Sequence, residues 1–316
     1  MTYYNYNGVL FEENTPVAGV NSRALRYGDG LFETIKYSEG ELLLEHEHFA
    51  RLWKGMKKMY FDIPKHFTPD KLKEEISKTL QKNKHIGARI RMAILRGDGG
   101  MFDPKSHVPE YLIQSWQLPP HIEMLNSIGL NLCVYKAAYK ACDSYCNIKH
   151  NNYLPYCMAA LYAKEKHCAD ALLLNDKGRI ADSSIANVYL IKGENIITPA
   201  LAEGCIEGVM RNFLMKKLPG LGFSIKEGEV TEEMLLQADE VFLSNSIFNI
   251  RWVGQVGHKY FTPNKVIEIV DALHLAFPKI FHRDYTNKSP VFTALPVVSA
   301  NNCMSFTTAF LPSSPK

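Results

Sequence analysis

The tandem prolines Pro119 and Pro120, in "QLPPHIEML", constrain this chain more than any other feature. Proline donates no backbone hydrogen bond and cannot continue a helix, so regular elements must end on either side of it. Tandem prolines also favour an extended linker. A chain of 316 residues is long enough to bury two cores. The expected organisation is a small unit over residues 1–117, a linker over 118–125 and a larger unit over 126–275. Beyond that the periodicity fades, and 276–316 reads as a poorly ordered or chain-specific tail.

In the first unit, short strands alternate with turns. "YYNYNGVLF" carries an Asn7-Gly8 turn, and "ETIKYSEGELLLE" reads as a hairpin with Glu39-Gly40 at its tip. "EHFARLWKGMKKMYF" follows as a helix. Its Phe49, Leu52, Trp53 and Met56 recur at i, i+3, i+4 and i+7, one apolar stripe. "TPDKLKEEISKTLQKN" opens on Thr68 and Pro69, a helix start signal. The strands "ARIRMAILRG" and "EYLIQSWQL" come next. The Gly-rich loop "RGDGGMFDPKSHVP" between them is long enough to suggest function.

In the second unit a strand, "GLNLCVYKAA", precedes "NIKHNNYLPY", and a helix runs through "NYLPYCMAALYAKEKH" with Pro155 in its first turn. "DALLLN", "RIADSSIANVYLI" and "NIITP" predict an antiparallel meander. "EGVMRNFLMKKL" and "TEEMLLQA" read as helices, the latter with acids in its first turn, and "DEVFLSNS" as a strand.

A net charge of +3 is too small to argue for nucleic acid or an acidic membrane surface as partner, and neither is expected. No apolar run is long enough to cross a bilayer. The start "MTYYNYNGVLFEENTP" lacks a secretory signal pattern, so a cytoplasmic protein is the expectation. The seven cysteines show no zinc-knuckle spacing, and free thiols are expected rather than a metal site. His46 and His48 in "EHEHF" read as a solvated helix face.

Lys149 stands in "NIKHNNYLPY" with no acidic neighbour. Alone it reads as a surface lysine before a helix. Four other stretches change that because of their order: "RYGDGLFETIKYSEGELLLEHEHFARL", "GRIADSSIANVYLIKGENIITP", "IEGVMR" and "ADEVFLSNS". With them, roughly residues 4–255 resemble the class IV, pyridoxal-phosphate-dependent aminotransferases. That family includes branched-chain aminotransferases, D-amino acid aminotransferases and 4-amino-4-deoxychorismate lyase. The resemblance implies an α+β, two-domain fold of type IV: a small α/β N-terminal domain, a larger pseudo-barrel C-terminal domain, pyridoxal 5'-phosphate between them, and a homodimer.

It also implies roles. Lys149 matches the lysine that forms a Schiff base with the cofactor aldehyde. Asp182 matches the carboxylate facing the pyridine nitrogen, where the family usually carries Glu; the alternative is a strand-edge acid. Arg51 matches the phosphate arginine, with a solvated helix position as the alternative. The amides of Val209 and Met210 open a helix that would face the phosphate, Ile206 would pack on the ring, and Ser246 stands where a phosphate-binding Thr is common. Phe32 matches an aromatic lining the site, and is equally core. Arg96 either meets a substrate carboxylate or is a strand-end arginine with a surface partner. Asn245 falls near the substrate. Asn152 resembles the D-amino acid and lyase branches, while Tyr153 carries no assigned role.

The implied activity is transfer of an amino group from a branched-chain or apolar amino acid to a 2-oxo acid such as 2-oxoglutarate. The alternative is aminodeoxychorismate lyase, which eliminates pyruvate to leave 4-aminobenzoate. A third reading is a degenerate cofactor-binding protein.

Overall fold

A computed structural model describes residues 2–282. The first half is a six-stranded sheet in the order β2-β1-β6-β5-β3-β4, covered on one face by two helices. Its strands are β1 (Tyr3–Tyr6), β2 (Val9–Glu12), β3 (Gly30–Ser38), β4 (Glu41–Leu42), β5 (Ala88–Leu95) and β6 (Glu110–Gln117). A short α1 (Arg23–Tyr27) precedes β3; the covering helices are α2 (Glu45–Lys58) and α3 (Pro69–Asn83). Both expected hairpins form, at Asn7-Gly8 and at Glu39-Gly40. Thr68 caps α3 by accepting from the Lys71 amide at 3.2 Å, with Pro69 at the first helical position.

Strand alternation divides the two faces of this sheet. Leu31, Ile35, Ile90, Met92, Ile94 and Ile113 point to the helices and join Leu52, Met56, Leu72 and Ile76 in one core. Phe32, Thr34 and Lys36 lie on the opposite face. That uncovered face turns toward the second half, where Lys36 reaches Asn249.

The second half is a curled nine-stranded sheet whose main path runs β12-β11-β10-β13-β14-β7-β8-β9. Here β7 is Leu130–Lys140, β8 Asp170–Asn175, β9 Ile180–Ser183, β10 Asn187–Lys192, β11 Asn195–Pro199, β12 Ser224–Gly228, β13 Glu240–Asn245 and β14 Asn249–Val256, with β15 (Lys259–Tyr260) paired to β14. Helix α4 (Leu154–Glu165) crosses from β7 to the parallel β8. Helices α5 (Val209–Lys217), α6 (Glu232–Gln237) and α7 (Asn264–Ala276) follow.

The expected meander is corrected here. "RIADSSIANVYLI" is two strands, and β9 and β10 lie toward opposite ends of the strand path. Ser183 makes the corner: its amide donates to Ala186 O at 2.8 Å and its hydroxyl accepts from the Ala186 amide at 3.0 Å. Asp170 holds the same corner by accepting from the Ser184 hydroxyl at 2.5 Å and amide at 3.2 Å.

The tail expectation is also corrected at its start. Phe281 is buried against Phe213 and Phe277, and Ile280 O accepts from Asn249 Nδ2 at 2.6 Å, so 277–282 belong to the second core. Residues 283–316 lie outside the described residues. The linker is tied down as well, because Arg251 donates to the carbonyls of Ile122 and Met124. No helix among the described residues is long and apolar enough to cross a membrane.

Candidate functional site

Residues 149–151 run alongside the start of β3. The Phe32 amide donates to Lys149 O at 2.9 Å, and the Asn151 amide to Gly30 O at 2.8 Å. Gly30 permits the approach, since a Cβ there would stand 2.5 Å from Ile94 O and 2.6 Å from Asn151 Nδ2. The uncovered face of the first sheet thus aims Phe32 at the lysine.

Lys149 Nζ lies 4.7 Å from the Phe32 ring centroid and 3.2 Å from the Tyr153 hydroxyl. Burial, then the Arg51 guanidinium, push its amine down to about 7, against the pull of Glu33 and Asp182. Half of such amines are neutral near pH 7, whereas an ordinary lysine is almost wholly charged. The Arg91 guanidinium stands 4.6 Å from the Phe32 ring centroid, and Lys36, opposite Arg89 across β3 and β5, is pushed down to about 8 mainly by burial. The wall beside Lys149 is therefore aromatic and basic.

Asp182, on β9, is buried and held by four hydrogen bonds. Its Oδ2 accepts from Lys140 Nζ at 2.7 Å, the Tyr156 hydroxyl at 2.9 Å and the Ile206 amide at 2.9 Å. Oδ1 accepts from Asn187 Nδ2 alone, at 2.9 Å, which leaves it acceptor capacity. The strand-edge alternative without partners does not describe this residue. The Ile206 side chain packs with Tyr156, Ala171 and Leu173.

Arg51 is not a solvated helix residue. Its Nε and Nη2 donate to Glu33 at 2.8 and 2.5 Å, and Nη1 donates to Glu207 O at 3.0 Å. Glu207 lies two residues before α5, so the small sheet's helix brings Arg51 to the start of that helix. Three of five guanidinium donors are used and two remain. Helix α5 begins after Gly208 with no side-chain cap, and Val209 and Met210 at its first positions are buried. The first amides of a helix have no intrahelical acceptor.

His48 corrects a third expectation. His46 is exposed, but His48 is fully buried with Nδ1 2.6 Å from Glu33 Oε2. Arg96 is buried at the end of β5: its Nε donates to Asp29 at 3.0 Å, and three more donors go to Tyr60 O, Met59 O and His107. Four of its five donors are thus spent at the base of the β5–β6 loop. Asn245 Oδ1 accepts from the amides of Ile247 and Phe248 at 2.9 and 3.0 Å, and its Nδ2 donates to Ile185 O at 3.3 Å. It binds the β13–β14 turn to the β9–β10 corner. Ser246, half-buried, sits in that turn.

Glu33, His48, Lys140, Tyr153, Tyr156 and Asn187 were not anticipated as a set. An acid at an inward position of "GLFETIK", and His48 three residues before Arg51 on one helix face, were the available signals.

Residues 30–256 match the family model of the class IV amino-transferases. The chain belongs to that family. This class IV chain is 30% identical over 239 residues to an aminodeoxychorismate lyase of Vibrio harveyi, covering 75% of this chain and 86% of that one. It is 26% identical over 248 residues to a D-alanine aminotransferase of Bacillus licheniformis, covering 76% and 83%. Among solved structures it is similar to the branched-chain amino acid aminotransferase of Escherichia coli, with a TM-score of 0.77 and 25% identity over 87% of this chain and 94% of that one. The fold is type IV, and the class IV family consists of pyridoxal-phosphate-dependent enzymes.

The donor set of the class IV chain fits that cofactor. An amine near neutrality suits an aldehyde, an uncapped buried helix start with two spare arginine donors suits a phosphate, and a buried carboxylate with one under-used oxygen suits a ring nitrogen.

Proposed function

We propose that this chain is a pyridoxal-phosphate-dependent aminotransferase that moves an amino group from a branched-chain or otherwise apolar amino acid to a 2-oxo acid such as 2-oxoglutarate. Lys149 is its central residue, and it works as a homodimer in the cytoplasm. The observation that carries the reading is the Lys149 amine, near neutrality between Phe32 and Tyr153 and within electrostatic reach of both Arg51 and Asp182.

When bound, pyridoxal phosphate supplies an aldehyde and an electron-withdrawing ring that acidifies the Cα–H of an amino acid. The chain's residues do the rest. Arg51 and the amides of Val209 and Met210, with Ser246, bind the phosphate; Glu33 fixes the guanidinium in place. Asp182 Oδ1, with its spare acceptor capacity, would hold the ring nitrogen, and Ile206 would pack on the ring. Lys149 Nζ, neutral for about half the time at pH 7, would take the Cα proton and pass it on in the 1,3 shift that amino transfer requires, and the Tyr153 hydroxyl at 3.2 Å would orient it. Phe32 and Tyr153 form an apolar wall for the donor side chain, while Arg91 offers a cation to the acceptor's carboxylate. The exposed apolar row Leu154, Met158 and Leu161 along α4 supports a second copy as partner.

The lyase reading is favoured by one observation, the 30% identity to a chain named for that activity. Purified holoenzyme incubated with L-branched-chain amino acids, D-alanine or aminodeoxychorismate separates the two. Release of a branched-chain 2-oxo acid, coupled to glutamate formation from 2-oxoglutarate, is the expected result. Pyruvate and 4-aminobenzoate from aminodeoxychorismate, with no amino transfer, would sink the proposal in favour of the lyase; no turnover of any of them would favour a degenerate binder.

A further inference from the structure

Lys140 ends β7 with its ammonium group buried, and among the described residues its ion pair is with Asp182, at 2.7 Å. The same ammonium lies 4.9 Å over the Tyr156 ring, and the Tyr156 hydroxyl reaches the same carboxylate oxygen. A lysine brought this deep into a core is costly unless it is paired, so the pairing is a built feature.

The carboxylate is held asymmetrically. Three donors converge on Oδ2, one of them charged, and one neutral amide reaches Oδ1. Removing Lys140 leaves Asp182 still anchored by Tyr156, the Ile206 amide and Asn187. The lysine's contribution is thus mainly electrostatic, because three neutral donors already fix the position.

We propose that Lys140 is a positioning residue of this site, sharing the Asp182 carboxylate with the ring nitrogen of the bound cofactor, so that the ring meets an acid already engaged by an ammonium group. The inference rests on the cofactor reading given above. Its consequence is chemical. A cation beside the carboxylate opposes a proton on the ring nitrogen, so the ring holds that proton less firmly than it would against an unshared acid. The shorter acid in place of the family's usual Glu and the buried lysine then belong together: Asp182 and Lys140 are one divided partner.

The test uses two cofactors on apoprotein: pyridoxal 5'-phosphate, and its 1-deaza analogue, in which C–H replaces the ring nitrogen. Both carry the same aldehyde and phosphate, so the ratio of their Kd values reports the ring nitrogen alone. Lys140→Met is expected to favour pyridoxal phosphate over the analogue by about tenfold more than wild type does, one pKa unit's equivalent. Lys140→Arg is expected to restore the wild-type ratio. Lys140→Gln, neutral but polar, serves if the methionine variant does not fold, and its ratio should move the same way. A ratio that stays at the wild-type value, with only a lowered Tm, overturns the proposal and leaves Lys140 a packing residue. A ratio that falls also overturns it. If wild type binds neither molecule, the cofactor reading itself fails and this inference falls with it.

Discussion

Glu33 grips Arg51 with both carboxylate oxygens, at 2.8 and 2.5 Å, and turns the second of these to His48 as well. The guanidinium is therefore aimed before any anion arrives. Burial alone would raise the Glu33 carboxyl, but Arg51 and His48 together hold it down at about 2.

Replacing Glu33 with Gln should be costly in two separable ways. A buried charge loses its partner, which costs about 3–5 kcal/mol of stability at pH 7. The sign for pH follows from a depressed acid: its stabilisation is present above the unfolded value near 4.5 and is lost as pH falls toward about 2. Urea unfolding between pH 7 and pH 3 should show that acid-labile portion in wild type and lack it in the variant. Apoprotein titrations should also show weaker binding of pyridoxal phosphate but little change for phosphate-free pyridoxal.

Lys149 has the opposite electrostatics. Its charged form is disfavoured in the fold, so the folded chain gives up its proton near pH 7 while the unfolded chain keeps it to about 10.5. Between those values the unfolded state binds more protons, and stability of the apoprotein should rise with pH. Lys149→Met should flatten that rise. Competitive amine labelling followed by mass spectrometry should find Lys149 becoming reactive with a midpoint near 7.

Tyr153→Phe removes the hydroxyl 3.2 Å from Lys149 Nζ and keeps the ring that stacks on Tyr156 at 4.2 Å. Turnover with a branched-chain amino acid should fall about 10- to 100-fold in kcat with KM nearly unchanged, because the lost group orients the base rather than binding substrate. A Tm within a few degrees of wild type would accompany that result; a KM effect alone would contradict it.

Gly30→Ala inserts a methyl 2.5 Å from Ile94 O. Either β5 or the Lys149–Asn151 segment must move, at a cost of about 1–3 kcal/mol. Thermal unfolding should report the loss, and reactivity of Lys149 should shift toward that of ordinary lysines. A variant with wild-type Tm and labelling would contradict the close fit.

The ordered stretches around Arg51, Lys149, Asp182 and Val209 were legible because each keeps its local neighbours in the chain. Hairpins at Asn7-Gly8 and Glu39-Gly40 were equally plain, since turn chemistry is local. Lys140 and Tyr156 were not legible as Asp182's partners, for they meet it only once β7, α4 and β9 have packed. His48 looked solvated because its neighbours Glu45, His46 and Glu47 are polar; the acid that satisfies it lies 15 residues earlier on another element. The break at Ser183–Ala186 was hidden because no glycine or proline marks it, and the bonds that make the corner come from Ser183 and from Asp170 on another strand.

The curled sheet has a temporal consequence. Strand β7 pairs with β8 on one side and with β14 on the other, so Leu130 must await Val253 before its second edge is filled. During synthesis, the half-built sheet stays open until β14 has left the ribosome. Lys149, Asp182 and helix α5 can all emerge before the enclosure that makes them chemically distinctive is complete. A nascent chain halted short of residue 249 would thus carry every reactive group of the site and none of its selectivity.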